Sequence, residues 1–233
     1  MCTVSFVPVG HTNFMLISNR DESPNRDTLP PEIYSIKNVN VLFPKDAVAG
    51  GTWIGLSSRN RLICLLNGGF KTHEHGKTYR MSRGVFVTNL LIAENDFDEI
   101  DALQLNDIEP FTLIIINWKN ELTLNEFVWD GTNKHMKDLP IKPKIWSSSQ
   151  LYSEEIKEER EQWFTRFLNF EKVTYDNLMT FHHDAGEGNS DTNLIMNRFF
   201  VKTKSITGIT KFDDKLKMHY EDLHSKKITA CEL

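Results

Sequence analysis

The sequence lacks an excess of positive charge. Among its 233 residues, 27 Lys and Arg stand against 32 Asp and Glu, a net charge of −5. A nucleic-acid binder needs a clustered basic face to neutralise phosphates, so no nucleic-acid partner is expected. Long apolar runs are also missing. A membrane span needs roughly 18–20 consecutive apolar residues, and none is expected here. Cysteine is scarce: Cys2, Cys64 and Cys231 are spaced too widely for a disulfide framework or a zinc site. No Lys or Arg precedes Arg20, and the apolar run at 14–17 falls short of the roughly 7–15 residues of a signal-peptide core. A cytoplasmic location is the expectation. Internal repeats, low-complexity tracts and linkers are absent from the pattern, so residues 1–233 read as one domain. What is present suffices for a core, with 39% hydrophobic and 25% charged residues.

Residues 3–8 and 14–19 read as strands around a turn at Gly10 and His11, making residues 2–20 a hairpin. The Pro/Asp/Asn-rich stretch 23–31 reads as loop. Two short apolar runs, 53–56 and 62–66, form a second hairpin closed by Asn67-Gly68-Gly69. Residues 82–93 predict a helix with Ser82 as N-cap, and 97–105 a weaker one. Strands are expected at 111–118, 122–129 and 145–147. Residues 153–170 form the clearest helix, with Ile156, Trp163, Phe164, Phe167 and Leu168 able to line one face. The Lys and Glu residues at 154–161 read as a solvated face. A further helix at 175–183 precedes strands at 191–196, 205–212 and 216–223. Hairpin-paired strands with grouped helices point to an α+β fold with antiparallel sheets.

The chemistry starts at Cys2. Removal of Met1 is favoured by a small second residue and would leave a free α-amine on the residue that carries the thiol. The thiol titrates near 8.5 and the amine near 7.7–8 in unperturbed form, so nucleophile and base share one residue. By itself, Cys2 also reads as a small apolar residue opening a strand. Asn19-Arg20-Asp21-Glu22 ends the second strand of the hairpin, within reach of Cys2. A carboxylate there can orient the amine, and an arginine can bind a substrate carboxylate; a polar loop exit explains the same residues. Gly50-Gly51-Thr52-Trp53-Ile54-Gly55 and the Asn67 turn permit close backbone approach and an exposed amide suited to an oxyanion, or ordinary hairpin turns.

Together, Cys2, the Asn-Arg-Asp-Glu tetrapeptide at 19–22, Gly-Gly-Thr-Trp-Ile-Gly at 50–55, Asn67, Ser82-Arg83-Gly84 and Thr192-Asn193 resemble the NRDE family, that of the Transport and Golgi organization protein 2. The resemblance covers nearly the whole chain. It implies an N-terminal nucleophile (Ntn) hydrolase fold, an αββα sandwich of two antiparallel sheets flanked by helices. Met-Cys-Thr at the start, with Asn19 and Asp21, is more distantly similar to the choloylglycine hydrolases. That likeness implies Cys2 as nucleophile, Asp21 on its α-amine and the backbone N–H of Asn67 in the oxyanion hole. Where those acylases carry an arginine this chain has Ser18, with Arg20 two positions on. Their second oxyanion donor, an asparagine, falls near Ser147-Ser148-Ser149.

The expected function is therefore an N-terminal-cysteine amidohydrolase that cleaves a linear amide through an acyl-thioester. Cys2, Asp21, Asn67 and Arg20 would carry the reaction, and Asn19, Ser148, Thr192 and Asn193 would contact a small-molecule substrate. The alternative is a non-enzymatic binder of haem or lipid, as the resemblance to eukaryotic trafficking relatives implies. No cofactor is expected. No metal is expected either: His73-Glu74-His75 lacks a third ligand, and His182-His183-Asp184 reads as a helix end where cationic histidine suits the dipole.

Overall fold

The computed structural model describes residues 2–74 and 79–233. In chain order they form β1 (Cys2–Val9), β2 (Asn13–Glu22), β3 (Thr28–Ile36), β4 (Val39–Asp46), β5 (Ile54–Ser57), β6 (Arg61–Asn67), α1 (Arg83–Ile92), α2 (Asp96–Ala102), β7 (Phe111–Asn117), β8 (Thr123–Trp129), β9 (Lys134–Leu139), β10 (Lys144–Ser147), α3 (Glu154–Phe170), α4 (Tyr175–Asp184), β11 (Lys202–Phe212), β12 (Lys215–Asp222) and β13 (Lys227–Glu232). These gather into two compact units. One combines the chain up to Arg26 with Lys142–Glu232; the other is Asp27–Ile141.

The first unit is built on a six-stranded antiparallel sheet, ordered β10-β1-β2-β11-β12-β13. Its register pairs Cys2 with Arg20, Thr3 with Asn19 and Ser5 with Ile17. Paired residues share a face and successive residues alternate. Thr3, Ser5, Ile17, Asn19 and Asp21 therefore lie on one face, and Val4, Ser18 and Arg20 on the other. A bulge between Thr203 and Ser205 keeps Thr203 opposite Asp21 and Ser205 opposite Arg20. Helices α3 and α4 cover the Thr3 face. Trp163, Phe164 and Phe167 from α3 meet Leu178 and Phe181 from α4, with Val7, Met15, Ile17 and Ile206 beneath. Each such side chain contributes about 1.5–3 kcal/mol on burial. Thr174 caps α4 by accepting the Asn177 N–H at 3.2 Å. Ser82 and Ser153 occupy the N-cap positions of α1 and α3 without a side-chain cap bond.

The second unit is a seven-stranded antiparallel meander from β3 to β9, each strand beside its sequence neighbour. Ile114, Ile115 and Ile116 of β7 are all buried, as a strand covered on both faces requires. The Gly-Gly-Thr-Trp block packs against the Ser-Arg-Gly turn. Thr52 donates its N–H to the Gly84 carbonyl at 3.2 Å. A Cβ on Gly51 would lie 2.4 Å from the Gly84 carbonyl carbon, and one on Gly84 would lie 2.8 Å from the Thr52 oxygen. Backbone meets backbone here, which only glycine permits.

The elements differ from expectation at buried β4, where no strand was expected, and where strands are exposed or irregular. Strand β3 begins inside the stretch expected as loop; its Pro30-Pro31 falls at a bulge between Leu29 and Glu32 on an edge, where proline costs no ladder bond. Edge strands β9 and β13 are mostly exposed and carry no apolar alternation. Residues 191–196 form no strand: they make turns ending in an isolated bridge between Asn197 and Lys202. Among the described residues no helix is long and apolar enough to cross a membrane.

Candidate active site

Strand β1 starts at Cys2, opposite Arg20, and Asp21 follows Arg20 on β2. Asp21 is fully buried. One carboxylate oxygen accepts from the Tyr152 hydroxyl and the other from Thr203 Oγ1, both at 2.7 Å. Burial pushes its carboxyl above the ordinary value, and the Arg160 cation with the bonds from Thr203 and Tyr152 opposes that push. Burial, helped by the Asp21 charge, holds the Tyr152 phenol far above its ordinary range, so it remains a donor.

Arg160 sits behind Tyr152, fully buried on α3. Its guanidinium carbon lies 3.7 Å from the Tyr152 ring centroid. Nε and Nη2 donate to the Thr192 carbonyl at 3.0 and 2.8 Å, and Nη2 also donates to the Asn193 carbonyl at 2.7 Å. Nη1 donates to Thr3 Oγ1 at 2.5 Å and Ser147 Oγ at 3.4 Å. All five guanidinium hydrogens are thereby placed. The Lys and Glu residues of 154–161 are exposed or half-buried, whereas Arg160 among them turns to the core. The signal was in the sequence: Arg160 falls on the same i, i+3, i+4, i+7 stripe as Trp163, Phe164 and Phe167.

A second buried network lies deeper on that face. Asn19 Nδ2 donates to the carbonyls of His182 at 3.0 Å and Leu194 at 2.9 Å. Those bonds fix the amide, so Oδ1 accepts from His182 Nδ1 at 2.7 Å, and Nε2 accepts from the Ser5 hydroxyl at 2.7 Å. Burial pushes the His182 pKa down to about 3, so it is neutral. The dipole explanation for its place at the helix end is corrected accordingly. His183 instead reaches Glu221 at 2.8 Å.

The remaining expected residues are placed as follows. Arg20 is buried on the side of the sheet opposite Asp21, its guanidinium 4.0 Å from Glu22. Ser148 is buried, and its carbonyl accepts from Leu151 and Tyr152 N–H, a turn that aims Tyr152 at Asp21. Thr192 and Asn193 present their carbonyls to Arg160. Asn67 ends β6 in the second unit, paired with Phe111. Of the His73-Glu74-His75 group, His75 lies outside the described residues, and His73 Nε2 is 3.7 Å from Glu109. Among the described residues no set of three or more His, Cys, Asp or Glu is placed to hold a metal.

Solved structures share this architecture at low identity. Penicillin V acylase from Agrobacterium tumefaciens is 9% identical, with a TM-score of 0.55 over 100% of this chain and 86% of that one. A variant of conjugated bile acid hydrolase from Clostridium perfringens is 10% identical, at 0.54 over 100% and 92%. A Caenorhabditis elegans ortholog of N-acylethanolamine-hydrolyzing acid amidase is 11% identical, at 0.54 over 89% and 92%. These likenesses show the fold, an α+β sandwich of the Ntn-hydrolase kind with two antiparallel sheets. The family model for Transport and Golgi organisation 2 matches residues 1–226, and the chain belongs to that family. No curated protein matches it at a significant level.

Proposed function

We propose that this chain is an amidohydrolase whose nucleophile is the thiol of an N-terminal Cys2 exposed by loss of Met1. The observation that carries the reading is the register of β1 and β2, which sets the buried Asp21 beside the start of β1. A carboxylate at that point suits an α-ammonium, and Tyr152 and Thr203 hold it in one orientation. The neighbours named for amide-cleaving acylases on the same fold support the reaction class.

In this mechanism the Cys2 α-amine takes the thiol proton as Sγ attacks the amide carbonyl. The oxyanion then collapses, the C–N bond breaks and the proton passes to the leaving amine. Water, deprotonated by the same amine, attacks the thioester; the C–S bond breaks, releasing the acid and restoring the thiol. Removing one backbone N–H donor to the oxyanion costs about 10²–10³ in rate. Arg20, paired in register with Cys2, supplies positive charge for a substrate carboxylate. Asn19 supports the site from behind, its amide being engaged with His182 and Leu194.

The test is release of primary amine from a panel of N-acyl amino acids and N-acyl ethanolamines by the wild type and by Cys2→Ala. Turnover lost in Cys2→Ala supports the reading. Turnover unaffected by Cys2→Ala, or no turnover alongside stoichiometric binding of haem or an acyl chain by both proteins, overturns it in favour of a ligand carrier.

A further inference from the structure

The Arg160 network extends beyond what the proposed reaction names. Three parts of the first unit converge on one guanidinium: Thr3 of β1, Ser147 at the end of β10, and the carbonyls at 192 and 193. Thr3 directly follows the nucleophile. Tyr152, against which the cation stacks, donates to the carboxylate that flanks β1. A buried arginine is expensive to desolvate and is retained with full bonding where it organises its surroundings. A core of Trp163, Phe164 and Phe167 could accept leucine or methionine at this stripe position without that cost.

We propose that Arg160 is a positioning residue for the N-terminal nucleophile, holding Thr3 and Tyr152 and, through Tyr152, the carboxylate of Asp21. This rests on the amidohydrolase reading for its purpose, though its geometry does not. Asp21 is fully buried, so a nearby cation must offset its desolvation if it is to stay ionised. Arg160 provides that charge through the face of Tyr152 without pairing directly, which leaves Asp21 able to attract an ammonium.

The groups around Asp21 leave Arg160 as the main lever. Thr203 from β11 donates but carries no charge. Arg20 and Glu22, adjacent on β2, lie on the opposite face. Arg198, 5.4 Å from the Tyr152 centroid, is occupied by the Leu151 and Asp191 carbonyls. His182 from α4 is neutral. Without Arg160, Asp21 would take a proton at higher pH, and the anchor for the amine would weaken as it did so.

The test uses the full-length protein with the variants Arg160→Met, Arg160→Lys and Tyr152→Phe. Asp21 titration is followed by carboxyl carbon NMR against an Asp21→Asn assignment control, and Cys2 reactivity by iodoacetamide alkylation rate against pH. Arg160→Met is expected to raise the Asp21 midpoint by about one pH unit or more and to displace the Cys2 profile. Arg160→Lys, which keeps the charge, should recover much of the Asp21 midpoint. Tyr152→Phe, with the cation retained and one bond lost, should shift it less and in the same direction, and serves if Arg160→Met does not fold. An unmoved Asp21 midpoint in the folded variants overturns the proposal and leaves Arg160 a packing element. A wild-type Cys2 that reacts no faster than a free thiol removes the amidohydrolase reading, while the Asp21 titration still decides the role of Arg160.

Discussion

His182 and Asn19 bind one another twice: Nδ1 of the imidazole donates to the Asn19 side-chain oxygen at 2.7 Å, and the Asn19 amide donates back to the His182 carbonyl at 3.0 Å. The first residue of the Asn-Arg-Asp-Glu tetrapeptide thus clamps the end of α4 and, through the Leu194 carbonyl, the turns after it. Replacing Asn19 by alanine removes the side-chain partners of the buried His182 carbonyl and the imidazole N–H, and leaves the Leu194 carbonyl the Thr203 hydroxyl at 3.3 Å. Leaving one buried polar group unsatisfied costs about 1–3 kcal/mol, so Asn19→Ala should cost at least about 2 kcal/mol. Urea unfolding would show this as a lower midpoint with an unchanged slope.

The same histidine makes stability depend on pH. Folded His182 accepts a proton only near pH 3, whereas in the unfolded chain it does so near 6.5. Between these values the unfolded chain holds more protons, so stability falls as pH drops below about 6.5. The slope from this group is about 1.4 kcal/mol per pH unit, or about 2 kcal/mol between pH 6.5 and 5. Asp21 acts in the opposite sense: its raised folded value favours the folded state as acid is added, between that value and 3.8. Denaturant melts of wild type and His182→Gln at pH 6.5 and 5 check this. The variant starts less stable and should lose less over that interval.

Backbone contact between Gly51 and Gly84 gives a third expectation. The added methyl of Gly51→Ala would meet the Gly84 carbonyl carbon at 2.4 Å and the Val85 nitrogen at 2.7 Å. Neither atom can rotate away, so the strand end and the start of α1 must separate. Overpacking of this kind costs about 1–3 kcal/mol, which lowers Tm by about 2–12 °C for a chain of this size. Differential scanning calorimetry would measure it.

Among the described residues, the hairpins β1–β2, β5–β6 and β7–β8 and the four helices were legible in the sequence from their apolar runs and spacing. Strands β3, β9 and β13 were not, since they are edges whose side chains are largely exposed and whose order comes from backbone pairing alone. Strand β4 was missed although it is mostly buried: its apolar run Val41-Leu42-Phe43 is cut short by Pro44 and followed by charged residues. Cys2 and the tetrapeptide were legible as a group, as was the alternation that puts Arg20 on the other face from Asn19 and Asp21. Arg160 and His182 on their helices, and Tyr152 just before α3, were hidden for a different reason. A charged or polar residue on a helix reads as solvated unless its stripe position is weighed above its type. Their partners lie far away in sequence: His182 is 163 residues from Asn19, and Tyr152 is 131 from Asp21. No local pattern could join them.

The central claim is that Cys2 is an N-terminal nucleophile. Intact mass of the natively expressed protein, before and after brief exposure to iodoacetamide near neutral pH, tests it most directly. The account predicts a chain lacking Met1 that takes up a single carbamidomethyl group rapidly, mapped to Cys2 by peptide sequencing and slowed in Asp21→Asn. A chain that retains Met1, or a Cys2 that alkylates no faster than a free thiol, would contradict it.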